Sequence, residues 1–425
     1  MNMKRWLVVF LVLILGAGTG LFLAACDNEV TGKGMNIPEP DREIMANFDA
    51  ALANASNEFG FAMFKKLVEN EENVFISPTS IYTALAMTYN GARGETLEAM
   101  ASVLGVEGVE LKKFNENNLA RLYQLQEADP EVIINIANSL WMREGMNFDP
   151  HFVGRNAEYY DASARELDFS TREAVDTIND WVEARTGGLI DEIVEYPIDP
   201  LTMLYLINAV YFLGEWSEPF NPDLTQKDIF HGPKGDIEDV LFMQRNAGYS
   251  YLEKEGEFQA VRLPYGEAER LAMYVFLPHE QSSLSEFVAG VDVKTWDEWR
   301  GQFRPMEGHL ILPSFSMEYE KTLNEVLQAM DMEIAFDESR ADFLDMVVRN
   351  EGPRLYISEV KHKSFIEVDE VGTEAAAVTS VEIRVESAAP QEPFRMNVNR
   401  PFFFLIHDRD TNEMLFTGTV VNPTE

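Results

Sequence analysis

The chain reads as one large α+β domain behind a short N-terminal leader, and three observations carry that reading. Apolar residues recur at helical spacing in Phe48 to Val68 (Leu52, Phe59, Ala62, Met63, Leu67) and in Thr171 to Arg185 (Ile178, Trp181, Val182), as amphipathic helices require. Long apolar runs at Glu131 to Met142 and Leu201 to Trp216 read instead as buried strands. Behind the leader about 380 residues remain, more than one domain usually holds, yet neither a second linker nor an internal repeat divides them.

The leader comes first. Lys4 and Arg5 precede an apolar run from Trp6 to Leu15 and a small-residue region ending in Leu23-Ala24-Ala25-Cys26, the layout of a secretory signal. A cysteine directly after L-A-A looks like a bacterial lipobox, in which residues 1–25 are removed and Cys26 becomes a lipidated N-terminus. An uncleaved anchor is the alternative, since residues 6–25 are just long enough to span a bilayer. Cys26 is the only cysteine, so no internal disulfide forms, and a lipidated thiol does no catalysis. Asp27 resembles an inner-membrane retention signal of two-membrane bacteria. Residues 26–45, polar and containing Pro38 and Pro40, read as a flexible tether, and the folded domain is expected over 46–425.

The formal net charge is −38, and removing residues 1–25 takes away two bases and no acid. Such a chain is not built to hold nucleic acid. Ser77-Pro78 starts a helix, and Gly91 and Gly94 punctuate the next one. Val109 to Glu127 is expected to be a helix, 225–278 a series of short alternating strands, and 283–303 helical. A strand around Pro313 to Tyr319 and a helix at Leu323 to Met330 complete the middle of the chain.

The segment that sets this sequence apart is Val368 to Ser387, V-D-E-V-G-T-E-A-A-A-V-T-S-V-E-I-R-V-E-S. After Gly372 the odd positions Thr373, Ala375, Ala377, Thr379, Val381, Ile383 and Val385 are small, β-branched or apolar, and the even positions are mixed to polar. The run satisfies the period-two rule for a half-buried strand, but its first half has little bulk with which to anchor a core. It can serve as loop or as strand. Alternation alone also fits an edge strand or an exposed hairpin.

Its flanks go further. L-Y-I-S-E-V-K-H-K-S-F-I-E-V (Leu355 to Val368) stands upstream, and N-R-P-F-F-F-L-I (Asn399 to Ile406) and L-F-T-G-T-V-V-N-P-T (Leu415 to Thr424) stand downstream. Together with E-V-G-T-E-A-A-A (Glu370 to Ala377) and N-V-F-I-S-P-T-S-I-Y-T-A-L-A-M-T-Y-N-G-A-R-G-E-T-L-E-A-M (Asn73 to Met100), the arrangement resembles the serpins over roughly 48–425. The resemblance implies a serpin fold: a large central sheet A, further sheets B and C, eight or nine helices, and an exposed reactive-centre loop over about 370–395. It implies a hinge at Glu370, Gly372, Thr373, Glu374, Ala375, Ala376 and Ala377. It also implies a breach at Trp216 and a shutter near Ser77, Pro78, Ser80, Ile81 and His362. Leu189 in T-G-G-L-I and Asp331 in M-D-M depart from the usual family residues, Lys and Gly.

What the resemblance implies about function is a protease inhibitor that traps a serine, or a cysteine, protease as an acyl-enzyme while its cut loop enters the central sheet. No cofactor is implied, and the chain is expected to be a monomer held at the membrane by lipid on Cys26, on the extracellular face or in the periplasm. The family's usual loop spacing lands the reactive bond on Glu386-Ser387, which suits a protease preferring acidic residues. The stretch from Ser387 to Pro401 is longer than in many relatives, which keeps two other registers open: Arg384-Val385 for a trypsin-like enzyme and Val385-Glu386 for an elastase-like one. Polyanion activation, which some serpins use, is disfavoured, since Val109 to Glu127 offers Lys112, Lys113 and Arg121 among several acids. The competing class is a non-inhibitory serpin acting as a binding or chaperone-type protein, and such members tend to carry unfavourable hinge residues. His362 has two readings, a satisfied core residue or a protonation sensor. Enzymatic readings lack support: there is no G-x-S-x-G elbow, no H-E-x-x-H and no phosphate loop, and the six histidines are scattered singly.

Overall fold

Asp49 caps the long helix α2 (Ala50–Leu67), which follows a short helix α1 (Arg42–Ala46); the Asp49 carboxylate accepts the Ala51 amide proton. Of the expected stripe of α2, Leu52, Phe59, Met63 and Leu67 are buried, while Ala62 is exposed. Strand β1 (Val74–Ile76) leads into α3 (Pro78–Tyr89). There the Ser77 hydroxyl accepts from the Ser80 amide, and Pro78 occupies the first turn, where its missing N–H costs nothing. Helices α4 (Gly94–Val103) and α5 (Leu111–Gln126) precede β2 (Val132–Arg143), α6 (Pro150–Tyr160), β3 (Ser163–Leu167), α7 (Arg172–Arg185) and β4 (Leu204–Glu215). A strand-rich stretch follows: β5 (Gln226–Gly232), β6 (Gly235–Lys254), β7 (Phe258–Pro264) and β8 (Leu271–Pro278). After α8 (Leu284–Ala289) and α9 (Val293–Arg300) come β9 (Arg304–Pro313), β10 (Phe315–Thr322), α10 (Asn324–Leu327), β11 (Glu359–Val368), β12 (Gly372–Thr373), β13 (Phe394–Asn397), β14 (Phe402–Asp408) and β15 (Glu413–Val420).

This is a computed structural model, and it describes residues 36–68, 72–348, 354–373 and 392–424, all within the compact unit Gly32–Glu425. The leader with Cys26, and Glu374, Ala375, Ala376, Ala377, Arg384, Val385, Glu386 and Ser387, lie outside the described residues. Among those described, no helix is long and apolar enough to cross a membrane.

The strands form two sheets. One has six strands in the order β10-β11-β4-β2-β3, with β12 added against β4. The other has nine, β1-β15-β14-β8-β7-β6-β9-β13, with β5 paired to β6. The α+β class holds, and the six-stranded sheet is the expected central sheet A. Sheets B and C are not separate here: the 20-residue strand β6 pairs with β7 toward one end and with β5 toward the other, so the two run into one another. Ten α-helices appear among the described residues, more than the eight or nine expected. The short α1 and α10 carry too little periodicity to be counted from sequence.

Three further differences have physical causes. The tether expected to reach residue 45 ends sooner. Ile37 is 4% exposed, its amide donates to Gln126 Oε1 at 2.7 Å, and its carbonyl accepts from Gln126 Nε2. The apolar residues near Ile37, Met35, Ile44 and Met45, are too few and too irregularly spaced to give a period to read. Arg121, grouped with Lys112 and Lys113 as a surface base, is 1% exposed. Its guanidinium pairs with Glu413 at 2.6 Å and donates to the hydroxyls of Ser56 and Thr83. The helix expected over Leu323 to Met330 narrows to α10 and a wider turn, Gln328–Met332, in which Asp331 takes φ 70°. Aspartate tolerates that left-handed conformation better than most side chains, which is how it stands where glycine is usual.

Candidate functional site at the head of the central sheet

Strands β4 and β11 are parallel neighbours, and their pairing runs only from Glu359 opposite Tyr205 to Phe365 opposite Tyr211. Beyond that both continue, β11 to Val368 and β4 to Glu215, but not against each other. The sheet is split at this end. Into the split comes β12, antiparallel to β4, with Gly372 opposite Glu215 and Thr373 opposite Gly214.

The chain reverses from β11 into β12 through a turn that Asp369 builds. Its carboxylate accepts the amide protons of Val371 at 2.8 Å and Gly372 at 3.0 Å, and its own amide donates to the Gly372 carbonyl. A short acid bonding the backbone two residues on is the expected turn chemistry. The turn's carbonyls are all taken: Asp369 by the Trp216 indole N–H at 3.0 Å, Glu370 by the Phe220 amide, Val371 by the Trp216 amide. The Glu370 carboxylate accepts from the Thr225 hydroxyl. With its carbonyls and the amides of Asp369, Val371 and Gly372 all bonded, the turn is fixed rather than draped.

Gly372 is required by proximity. A Cβ there would lie 2.2 Å from Gly214 O, 2.6 Å from Glu215 Cα and 2.9 Å from Trp216 N, all main-chain atoms of the neighbouring strand. Only glycine lets the backbone come this close. Thr373 is 1% exposed, and its hydroxyl meets that of Tyr265 at 3.2 Å. Trp216 stacks on Tyr265, ring centroids 4.4 Å apart.

Halfway along the zipped section, a second cluster fastens the same two strands. His362 and Asn208 face each other in register, and His362 Nδ1 bonds Asn208 Oδ1. His362 Nε2 accepts the Ser77 amide proton at 3.4 Å, so the Nδ1 side must donate and the imidazole is neutral. Asn208 Nδ2 donates to Ser80 Oγ and to Asn138 Oδ1 of β2, and the Ser77 hydroxyl donates to the Leu415 carbonyl at 2.7 Å. Burial, with no charged partner, pushes His362 down to about 3 from 6.5. It is a satisfied core residue, not a sensor working near neutral pH.

Residues 54–423 match the family described as Serpin (serine protease inhibitor). The chain belongs to the serpin family. It is 36% identical to a serpin-like protein of the archaeon Thermococcus kodakarensis, over 88% of this chain and 86% of that one. It is 33% identical to the leukocyte elastase inhibitor of Xenopus laevis, over 88% and 99%. Among solved structures it resembles the thermophilic serpin tengpin in its native state (TM-score 0.79, 33% identity, 92% of this chain and 96% of that one). It also resembles human thyroxine-binding globulin complexed with thyroxine (TM-score 0.79, 26% identity, 88% and 99%). Serpins are mostly protease inhibitors and not enzymes.

The expected serpin residues fall into two groups at two heights of sheet A. Glu370, Gly372, Thr373 and Trp216 come together at the split head of the sheet. Ser77, Ser80 and His362 come together lower down, joined by Asn208 and Asn138. Sequence reasoning did not single out Asp369, Tyr265 or Asn208. Asp369 had a signal, an acid three residues before a glycine after a strand; the other two are fixed by contacts from distant parts of the chain.

Proposed function

We propose that this serpin is a suicide-substrate inhibitor of a protease with a serine, or a cysteine, nucleophile. The observation that carries the reading is the hinge: Gly372 and Thr373 already pair with β4 beyond the point where its pairing with β11 ends. The sequence that follows, Glu374, Ala375, Ala376 and Ala377, brings no bulk at the alternate positions that would face the core. A protease that attacks the loop forms an acyl-enzyme and releases the downstream strand of the bond. The upstream segment then continues the strand that Thr373 begins, drawing the protease along the sheet before water can free it. If a dozen or so residues gain ladder bonds at ~1 kcal/mol net each, insertion yields about 10 kcal/mol, comparable to a domain's whole stability.

In this reading Glu386-Ser387 is the reactive bond, with Arg384-Val385 and Val385-Glu386 as the alternatives, and the protein acts as a monomer. The relative that bears the name elastase inhibitor gives weight to the Val385 register. We place the protein outside the cytoplasm, tethered by lipid on Cys26 after loss of residues 1–25, on the strength of L-A-A-C alone.

A second reading, a serpin that binds a ligand and does not inhibit, draws on the equal likeness to thyroxine-binding globulin. Gly372 and Thr373, tailored to the head of the sheet, favour the inhibitor. The test is to mix the purified protein separately with a glutamate-specific endopeptidase, trypsin and elastase. A covalent complex that survives denaturing electrophoresis, with release of a peptide running from Ser387 to Glu425, is the expected result. Clean cutting by all three with no complex would favour the second reading.

A further inference from the structure

Tyr265 takes no part in the scheme so far, yet its surroundings are specific. The side chain is fully buried, and among the described residues its hydroxyl has Thr373 Oγ1 as its partner at 3.2 Å. The ring lies on Trp216 and meets Phe212 edge-on at 4.8 Å. Its backbone is clamped to the end of β4 from both sides: the Gly266 amide donates to Glu215 O, and the Ser217 amide donates to Pro264 O. Gly266 turns at φ +61° hard against Asp129, whose carboxylate accepts the Ala268 amide proton. Tyr265 is therefore a fixed post, not a side chain that follows its neighbours.

A tyrosine hydroxyl buried among rings needs a hydrogen-bond partner. With Thr373 seated, it has one. With the hinge withdrawn, the hydroxyl is left facing Phe212 and Trp216, where an unmet donor is costly. The withdrawn state is thus penalised by a residue outside both the loop and sheet A.

We propose that Tyr265 is the positioning residue that seats Thr373 in the head of the sheet before cleavage, and so sets how many encounters end in trapping and how many in hydrolysis. The proposal rests on the inhibitor reading for its consequence but not for its geometry. Seating supplies the first rungs of the inserted strand, so later residues add to an existing ladder and do not have to start one.

The test uses Tyr265→Phe, which keeps the ring, Thr373→Val, which keeps the shape, and the double variant. Hydrogen exchange over 369–373 in the uncut protein reads the seat without any protease. Exchange is expected to rise roughly tenfold in either single variant and no further in the double, since both remove one bond. With whichever protease the parent protein traps, inhibitor consumed per protease captured should rise roughly three- to tenfold in each single variant and again no further in the double. The association rate should be unchanged, and restoring tyrosine restores trapping. Unchanged exchange in Tyr265→Phe, or effects that multiply in the double variant, would overturn the proposal; multiplication would mark Tyr265 as packing alone. If the parent traps no protease, the inhibitor reading falls, while the exchange measurement still decides the seat.

Discussion

Strands β4 and β11 are fastened at one height and parted at another, and the two regions are built from different chemistry. Where they are zipped, polar side chains span the seam: Asn208 to His362 across it, then Ser80, Ser77 and Asn138 behind it. Where they part, main-chain contacts share the holding with the side chains of Asp369, Glu370 and Thr373. Gly372 lies against the main chain of Gly214 and Glu215, and the turn after Asp369 is secured by main-chain and indole donors. A polar seam fixes the register of two strands yet can be undone one bond at a time. Gly372, with no side chain of its own, lets a new strand lie against β4 at little cost. The sheet is thus closed by reversible bonds below the place where it is already open.

Three substitutions test this contrast. Thr373→Arg should have the largest effect. A guanidinium at a position 1% exposed, facing the Tyr265 hydroxyl, meets a desolvation cost of several kcal/mol. The protein should turn from inhibitor to substrate, cut at the same bond with no covalent complex on a denaturing gel; full inhibition by this variant would refute the seat at Thr373.

Next comes Asn208→Ala in the seam. It strips partners from His362, Ser80 and Asn138 at once, and a loss of about 1–3 kcal/mol in denaturant unfolding is expected. Because the seam opposes opening, the variant should also insert its loop more readily than the parent protein. Unchanged stability would show that the network is incidental.

The third test concerns pH. His362 titrates in the fold at about 3 against 6.5 when free, so its neutral form is the one the fold favours. Its contribution to stability is complete above about pH 6.5 and is lost progressively as pH falls toward 3, at about 1.4 kcal/mol per pH unit in between. His362→Gln should flatten the stability profile between pH 6 and 4 by that slope. Identical slopes in the two proteins would mean that His362 is already protonated in the fold.

Much of the fold was legible because period and length are local properties. The stripe of α2, the apolar runs of β2 and β4 and the Ser77-Pro78 cap each announce themselves within a dozen residues. Gly372 drew attention for a different reason: a glycine followed by short side chains is an unusual composition for a strand. What remained hidden depends on partners far away in sequence. Tyr265 meets Thr373 across 108 residues, and Arg121 meets Glu413 across 292; nothing beside either residue marks it as other than a strand-end aromatic or a surface base. The pairing of Gly372 and Thr373 was hidden too, since the resemblance implied that the loop enters the sheet after it is cut, whereas these two residues pair with β4 in the uncut chain.

The claim that the loop continues the strand begun at Thr373 is tested most directly by thermal unfolding before and after a single cut within 374–391. The cut protein is expected to unfold at a markedly higher temperature than the intact one, and Thr373→Arg to abolish the gain. A cut protein that unfolds at or below the temperature of the intact chain would contradict it.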